Sequence, residues 1–126
     1  MPELAAGAFR LANAFVLPFW ALLIFAPAWG GTRRVISGTW YLAVLAAYYA
    51  VTVAVGLGSP GGPDPSALAN PTLPGVHELL RHPAVTAPAW THFLVFDLCV
   101  ARWIFLRERR PGYRLSPVFL LTFLLG

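Results

Sequence analysis

The sequence predicts an all-α integral membrane bundle with three full spans and a fourth, shortened one, all in a single domain over residues 1–126. Composition comes first: 58% of the 126 residues are hydrophobic, only 11% are charged, and mean hydropathy is +0.66, whereas a soluble domain carries roughly 25% charged residues. Second, the apolar residues fall into runs of membrane-crossing length at about 9–29, 35–57 and 88–106, with a shorter run at 115–126. Third, all nine basic residues are arginine, and most sit at the ends of those runs. That distribution is a topology pattern; it lacks the basic stripe along a solvated face that nucleic-acid binding needs, so no nucleic-acid partner is expected.

The first run holds Asn13 and Pro18 and is long enough to span, since a helix needs roughly 20 residues to cross the hydrocarbon. The N-terminus opens with Glu3 as its first charge and no basic region, so the run reads as a retained helix, not a cleaved signal. Pro18 removes a backbone donor and should kink the helix. Asn13 reads as a polar contact between helices, and it is also a candidate ligand contact.

A short polar turn, Gly30 to Arg34, leads to the second span. Trp40 and Tyr41 fall near its start, where amphipathic rings anchor at headgroup level. Tyr48 and Tyr49 lie mid-helix, about 100° apart, so their hydroxyls cannot share one face. At least one must turn toward another helix or a lipophilic ligand, which makes both candidate ligand contacts.

The extramembrane loop at 58–87 is rich in proline and glycine, which rules out one continuous helix. Within it, Pro74 to Pro83 should form one or two helical turns, with Val76, Leu79 and Leu80 on one side and His77, Glu78 and Arg81 toward water. His77 and His82 are five apart and lack the i, i+4 spacing of two metal ligands on a helix face, and with a single cysteine, Cys99, no metal site is expected.

The third span carries His92, Asp97 and Arg102. Ionisable groups in hydrocarbon need a partner, water or a function. Arg102 is near enough to the membrane edge to snorkel, and His92 near enough to the other edge to reach the interface. Asp97 is short and central. It lies five residues from Arg102, out of phase for an intrahelical pair, so its partner should be on another helix or a ligand. The fourth run, twelve residues long, would rise only about 18 Å as a helix, and the chain is expected to continue past Gly126.

Arginine counting places Arg33, Arg34, Arg107, Arg109, Arg110 and Arg114 on one side, and Arg10 and Arg81 on the other. The arginine-rich loops are therefore expected in the cytoplasm, with the N-terminus and the 58–87 loop outside. The all-arginine, Ala/Pro/Gly-rich usage fits GC-rich bacterial coding and hence the bacterial inner membrane.

The motif W-x-H-F-L-x-F-D-L-x-V-x-R-W from Trp90 to Trp103, the S-P-x-x-x-L-T-F-L-L-G that ends the chain, and L-A-N-A-F-x-L-P-x-W from Leu11 to Trp20 together resemble a small polytopic membrane family. That family includes the plant proteins required for neoxanthin formation in abscisic-acid biosynthesis, and bacterial homologues of unassigned function. The resemblance implies a four-helix membrane protein, a carotenoid link, and candidate polar positions at Asn13, His92, Asp97 and Arg102. Trp90 and Trp103, which bracket the motif, join Asn13, Tyr48 and Tyr49 as candidate ligand contacts.

Two function classes follow. One is a non-catalytic accessory subunit of a larger pigment or electron-transfer complex, its lipophilic groove taking lipid, carotenoid or quinone. The other is a carotenoid-modifying, isomerase-like enzyme with Asp97 as the proton-transfer group and His92 or Arg102 steering charge. The sequence carries no nucleophile constellation, metal spacing or dinucleotide fingerprint, which favours the first class. A bound carotenoid or lipid is the only cofactor implied; the partners implied are the bilayer and other membrane subunits.

Overall fold

The computed structural model describes residues 2–108 and 114–126. Its described residues form helices joined by turns, in the order α1 (Pro2–Phe25), α2 (Gly30–Ser37), α3 (Trp40–Gly58), α4 (Ser66–Ala69), α5 (Leu73–Arg81), α6 (Pro83–Arg107) and α7 (Ser116–Leu125). Three of them, α1, α3 and α6, are long and apolar enough to cross a membrane, which fits a multi-pass membrane protein. Arg109 and Arg110, counted in the arginine-rich third loop, lie outside the described residues.

α6 is the central element. It packs on α3 along one side and on α1 along another, while α7 lies against α1 and α6. The core runs through Val16, Phe19, Trp20 and Leu23 of α1, Tyr41 and Leu45 of α3, Leu98, Ala101 and Phe105 of α6, and Phe119 of α7. Phe19 stacks on Tyr41 with ring centroids 4.4 Å apart, and Trp20 meets Phe123 at 5.3 Å. These pairs tie α1 to α3 and to α7. Much of the remaining apolar surface faces outward, including Leu17, Val44, Phe93, Phe96 and Leu124, as expected of helices whose solvent is lipid.

α1 begins at Pro2, well before the expected start near residue 9, and three further boundaries differ from the sequence reading, each for a local reason. α1 ends at Phe25, not near residue 29, because Pro27 has no N–H and disfavours helical geometry at Ala26. The Ala26 carbonyl instead accepts the buried Thr32 hydroxyl at 2.7 Å. The segment expected as a polar turn running into the second span is a separate helix, α2. Its Thr32 and Ile36, one turn apart, are buried, and Gly38 separates it from α3. α6 starts at Pro83, where proline is tolerated at the first helical turn, so Pro88 lies inside the helix.

Pro88 removes the donor that would meet the Ala84 carbonyl one turn earlier. That carbonyl faces Gly56 of α3, where an added Cβ would stand only 2.6 Å from its oxygen. A glycine is therefore required at this close approach of two backbones.

At the α5–α6 junction His82 ends one helix and begins the next. Its backbone N–H bonds to Leu79, and its Nδ1 accepts the Ala84 N–H at 3.3 Å. α5 buries Leu79 and half-buries Val76, but Leu80, expected beside them, is exposed. Glu78 and Arg81 pair at 3.0 Å on the water-facing side. In the preceding loop, the backbone N–H and hydroxyl of Ser66 hold the Asp64 carboxyl below its ordinary value of 3.8.

Candidate functional site

The polar residues singled out in the spans are distributed along the bundle, each meeting a different neighbour. Asn13 donates from Nδ2 to the Phe9 carbonyl at 2.7 Å, and its Oδ1 accepts the Trp90 indole N–H at 3.2 Å. Phe9 lies against the same indole at 5.7 Å. The Tyr48 hydroxyl donates to the Ala8 carbonyl at 2.9 Å, joining α3 to α1. Tyr49 turns instead to α6, its ring 5.6 Å from His92. The two adjacent tyrosines thus serve two different helices.

His92 is otherwise exposed. Asp97 is half-buried, and its carboxyl oxygens lie beside Gly126 at the end of α7, 3.8 Å from where a Cβ there would stand. Among the described residues this carboxyl makes no hydrogen bond.

Arg102, expected to snorkel at the membrane edge, is held there by main-chain carbonyls at the arginine-rich end of the bundle. Its Nε lies 3.2 Å from the carbonyls of both Ile36 and Gly38, and a terminal nitrogen donates to the Ser37 carbonyl at 2.8 Å. These are the carbonyls that the end of α2 leaves without intrahelical donors, and the Tyr41 hydroxyl also donates to Ile36. Trp103 is exposed, with the Arg107 guanidinium 5.5 Å above its ring.

Along α6, then, His92 faces α3, Asp97 faces α7 and Arg102 faces α2. The three are not brought together around one point. Asn13 and Trp90 are brought together, by each other.

A cavity does form, at the opposite end of the bundle from α2. The ends of α1, α3 and α6 and the Ser59–Gly62 turn enclose a partly open crevice of about 450 Å3. Its walls are mostly Leu4, Ala5, Ala8, Val51, Val55, Ala84, Ala87 and prolines. The polar side chains there are already engaged by the chain's own backbone: Thr52 donates to the carbonyls of Tyr48 and Tyr49, Ser59 donates to Val55, and His82 accepts from Ala84. An occupant would therefore meet an apolar lining, as is usual for lipophilic sites.

None of the sequence-nominated residues lines this crevice. It is built from small residues, Ala5 and Ala8 on α1, Gly56 on α3, Ala84 and Ala87 on α6, whose recurrence three residues apart near the loop-facing helix ends was the one available sign.

No match was found among curated proteins or among solved structures. The model of the ABA4-like family, ABA DEFICIENT 4-like, matches residues 7–126, a span that contains all three motif stretches and every helix from α2 onward. The chain belongs to the ABA DEFICIENT 4-like family.

Proposed function

We propose that this protein is a non-catalytic membrane subunit that holds a carotenoid-like polyene for a larger membrane assembly, with the molecule's end group seated in the crevice between α1, α3 and α6. The observation that carries the reading is the crevice: about 450 Å3 of mostly apolar space at the end of membrane-length helices, with the Thr52 and Ser59 hydroxyls already bonded to the chain's own carbonyls. A hydrocarbon end group has no hydrogen bonds to lose on entering such a space, and because its alternative surroundings are lipid, the gain is close van der Waals packing against the crevice walls. Family membership adds the carotenoid link.

The dispersal of His92, Asp97 and Arg102 supports a binding role over an acid–base one, because proton transfer to one substrate atom needs donor and acceptor within hydrogen-bond reach of it. The competing enzyme reading draws on one feature, the Asp97 carboxyl with no hydrogen bond among the described residues. On the subunit reading the membrane is a bacterial inner membrane, with the α2 end of the bundle in the cytoplasm.

The test is gentle detergent purification from carotenoid-producing cells, with the visible spectrum and the size of the complex read together. Co-eluting pigment in a complex larger than the monomer is expected. Val55→Trp, which fills the crevice from an exposed wall position, should reduce bound pigment severalfold while helical content is kept. Asp97→Asn should leave both the bound pigment and the cells' pigment composition unchanged. A colourless monomer overturns the reading, and a changed pigment composition in Asp97→Asn moves the assignment to the enzyme.

A further inference from the structure

The arginine-rich end of the bundle contains a second cleft, of about 420 Å3, between Pro27 and Ala28 after α1 and the lead-in to α7, Arg114 to Pro117. Its chemistry differs from that of the crevice. Arg114 is exposed, and neither its guanidinium nor the Ser116 hydroxyl has a hydrogen-bond or ion-pair partner among the described residues. Among the described residues no carboxylate lines the cleft, and its other walls are apolar.

The surroundings carry the same sign. Arg33 and Arg34 of α2 are exposed at this end, and Arg107 at the end of α6 is exposed above Trp103. Glu108 is the one acidic residue there among the described residues, whereas Glu3, Asp64 and Glu78 all belong to the opposite end. An unpartnered guanidinium is a fork of donors suited to phosphate oxygens. Its position at the end of membrane-length helices is headgroup depth, and the exposed Leu120, Leu121 and Leu124 of α7 continue from the cleft as an apolar track.

We propose that this cleft binds the headgroup of an anionic phospholipid, with Arg114 and Ser116 holding the phosphate and the acyl chains lying along α7. The lipid is a structural ligand of the arginine-rich end, independent of whatever occupies the crevice. Its site is separate from the diffuse attraction that any basic rim exerts on an anionic leaflet.

Native mass spectrometry of the full chain in detergent, with phosphatidylglycerol or phosphatidylcholine added, reads this directly. Phosphatidylglycerol should be retained in preference. Arg114→Gln should weaken that retention roughly fivefold, the effect of one arginine close to an anionic surface, with helical content unchanged by circular dichroism. Arg33→Gln, which removes a rim charge away from the cleft, should weaken it far less. Equal retention of the two lipids overturns the proposal, as does equal loss in the two variants, which would mean a diffuse rim. Displacement of phosphatidylglycerol by inorganic phosphate at matching concentration also overturns it, because the cleft would then be a phosphate site and not a lipid site.

Discussion

Arg102 secures the carbonyls of residues 36, 37 and 38 from a helix more than sixty positions later in the chain. Removing a donor from part-buried acceptors costs roughly 1–3 kcal/mol, so Arg102→Leu should lower thermal stability in detergent by about that amount. Arg102→Lys should fall between, because an ammonium is a single point of donors and cannot reproduce the guanidinium fork. Unfolding midpoints measured side by side decide it; an unchanged midpoint in Arg102→Leu would show that water satisfies the α2 carbonyls equally well. The sequence placed Arg102 at the membrane edge from its distance to Arg107. It could not show the real partner, because the acceptors are main-chain groups on a segment that read as a turn. Asn13 was more legible: an amide in an apolar run must bond to something, and only the identity of Trp90, 77 positions away, required the fold.

Between elements, the long seam of α3 and α6 contains one close backbone approach at its loop-facing end. Pro88 frees the Ala84 carbonyl, and Gly56 lets α3 come close to it. Gly56→Ala should force the two helices apart at a cost of about 1–3 kcal/mol, the usual range for overpacking. Gly58, two residues on, has open space around its missing Cβ; Gly58→Ala should be neutral or slightly stabilising, since alanine is the better helix former. Comparing the two unfolding midpoints separates contact from propensity, and equal shifts would remove the close approach from the account. The spans themselves were legible because hydropathy and length leave few alternatives for residues 40–58. Their ends were not. Pro27 ended one helix early and Pro83 opened another early, and a proline's effect depends on which side of a helix boundary it falls. The crevice was illegible for a different reason: its walls are mostly alanine, glycine, valine and proline, residues that announce no chemistry until three helices bring them together.

For the whole molecule, the arrangement puts α2 and the C-terminal end of α6 at one end of the bundle, and the 58–82 segment with the N-terminal ends of α1 and α6 at the other. Positions on α2 and α4 should therefore be reachable from opposite faces of the membrane. With the exposed Cys99 replaced by serine, Arg34→Cys and Ser66→Cys should each react with a membrane-impermeant maleimide from one side only, and from opposite sides. Labelling of both from the same side would contradict the three-span arrangement.

The reach of Arg102 also bears on the order in which the protein is made. Chains emerge N-terminus first, so α1, α2 and α3 enter the membrane while the residue that closes the end of α2 is still unsynthesised. Until α6 arrives, the carbonyls of Ile36, Ser37 and Gly38 must be hydrated or held by other groups, and the first helical hairpin has its turn open. Insertion of α6 supplies the guanidinium and closes it, so the early hairpin reaches its final shape only once α6 is in place.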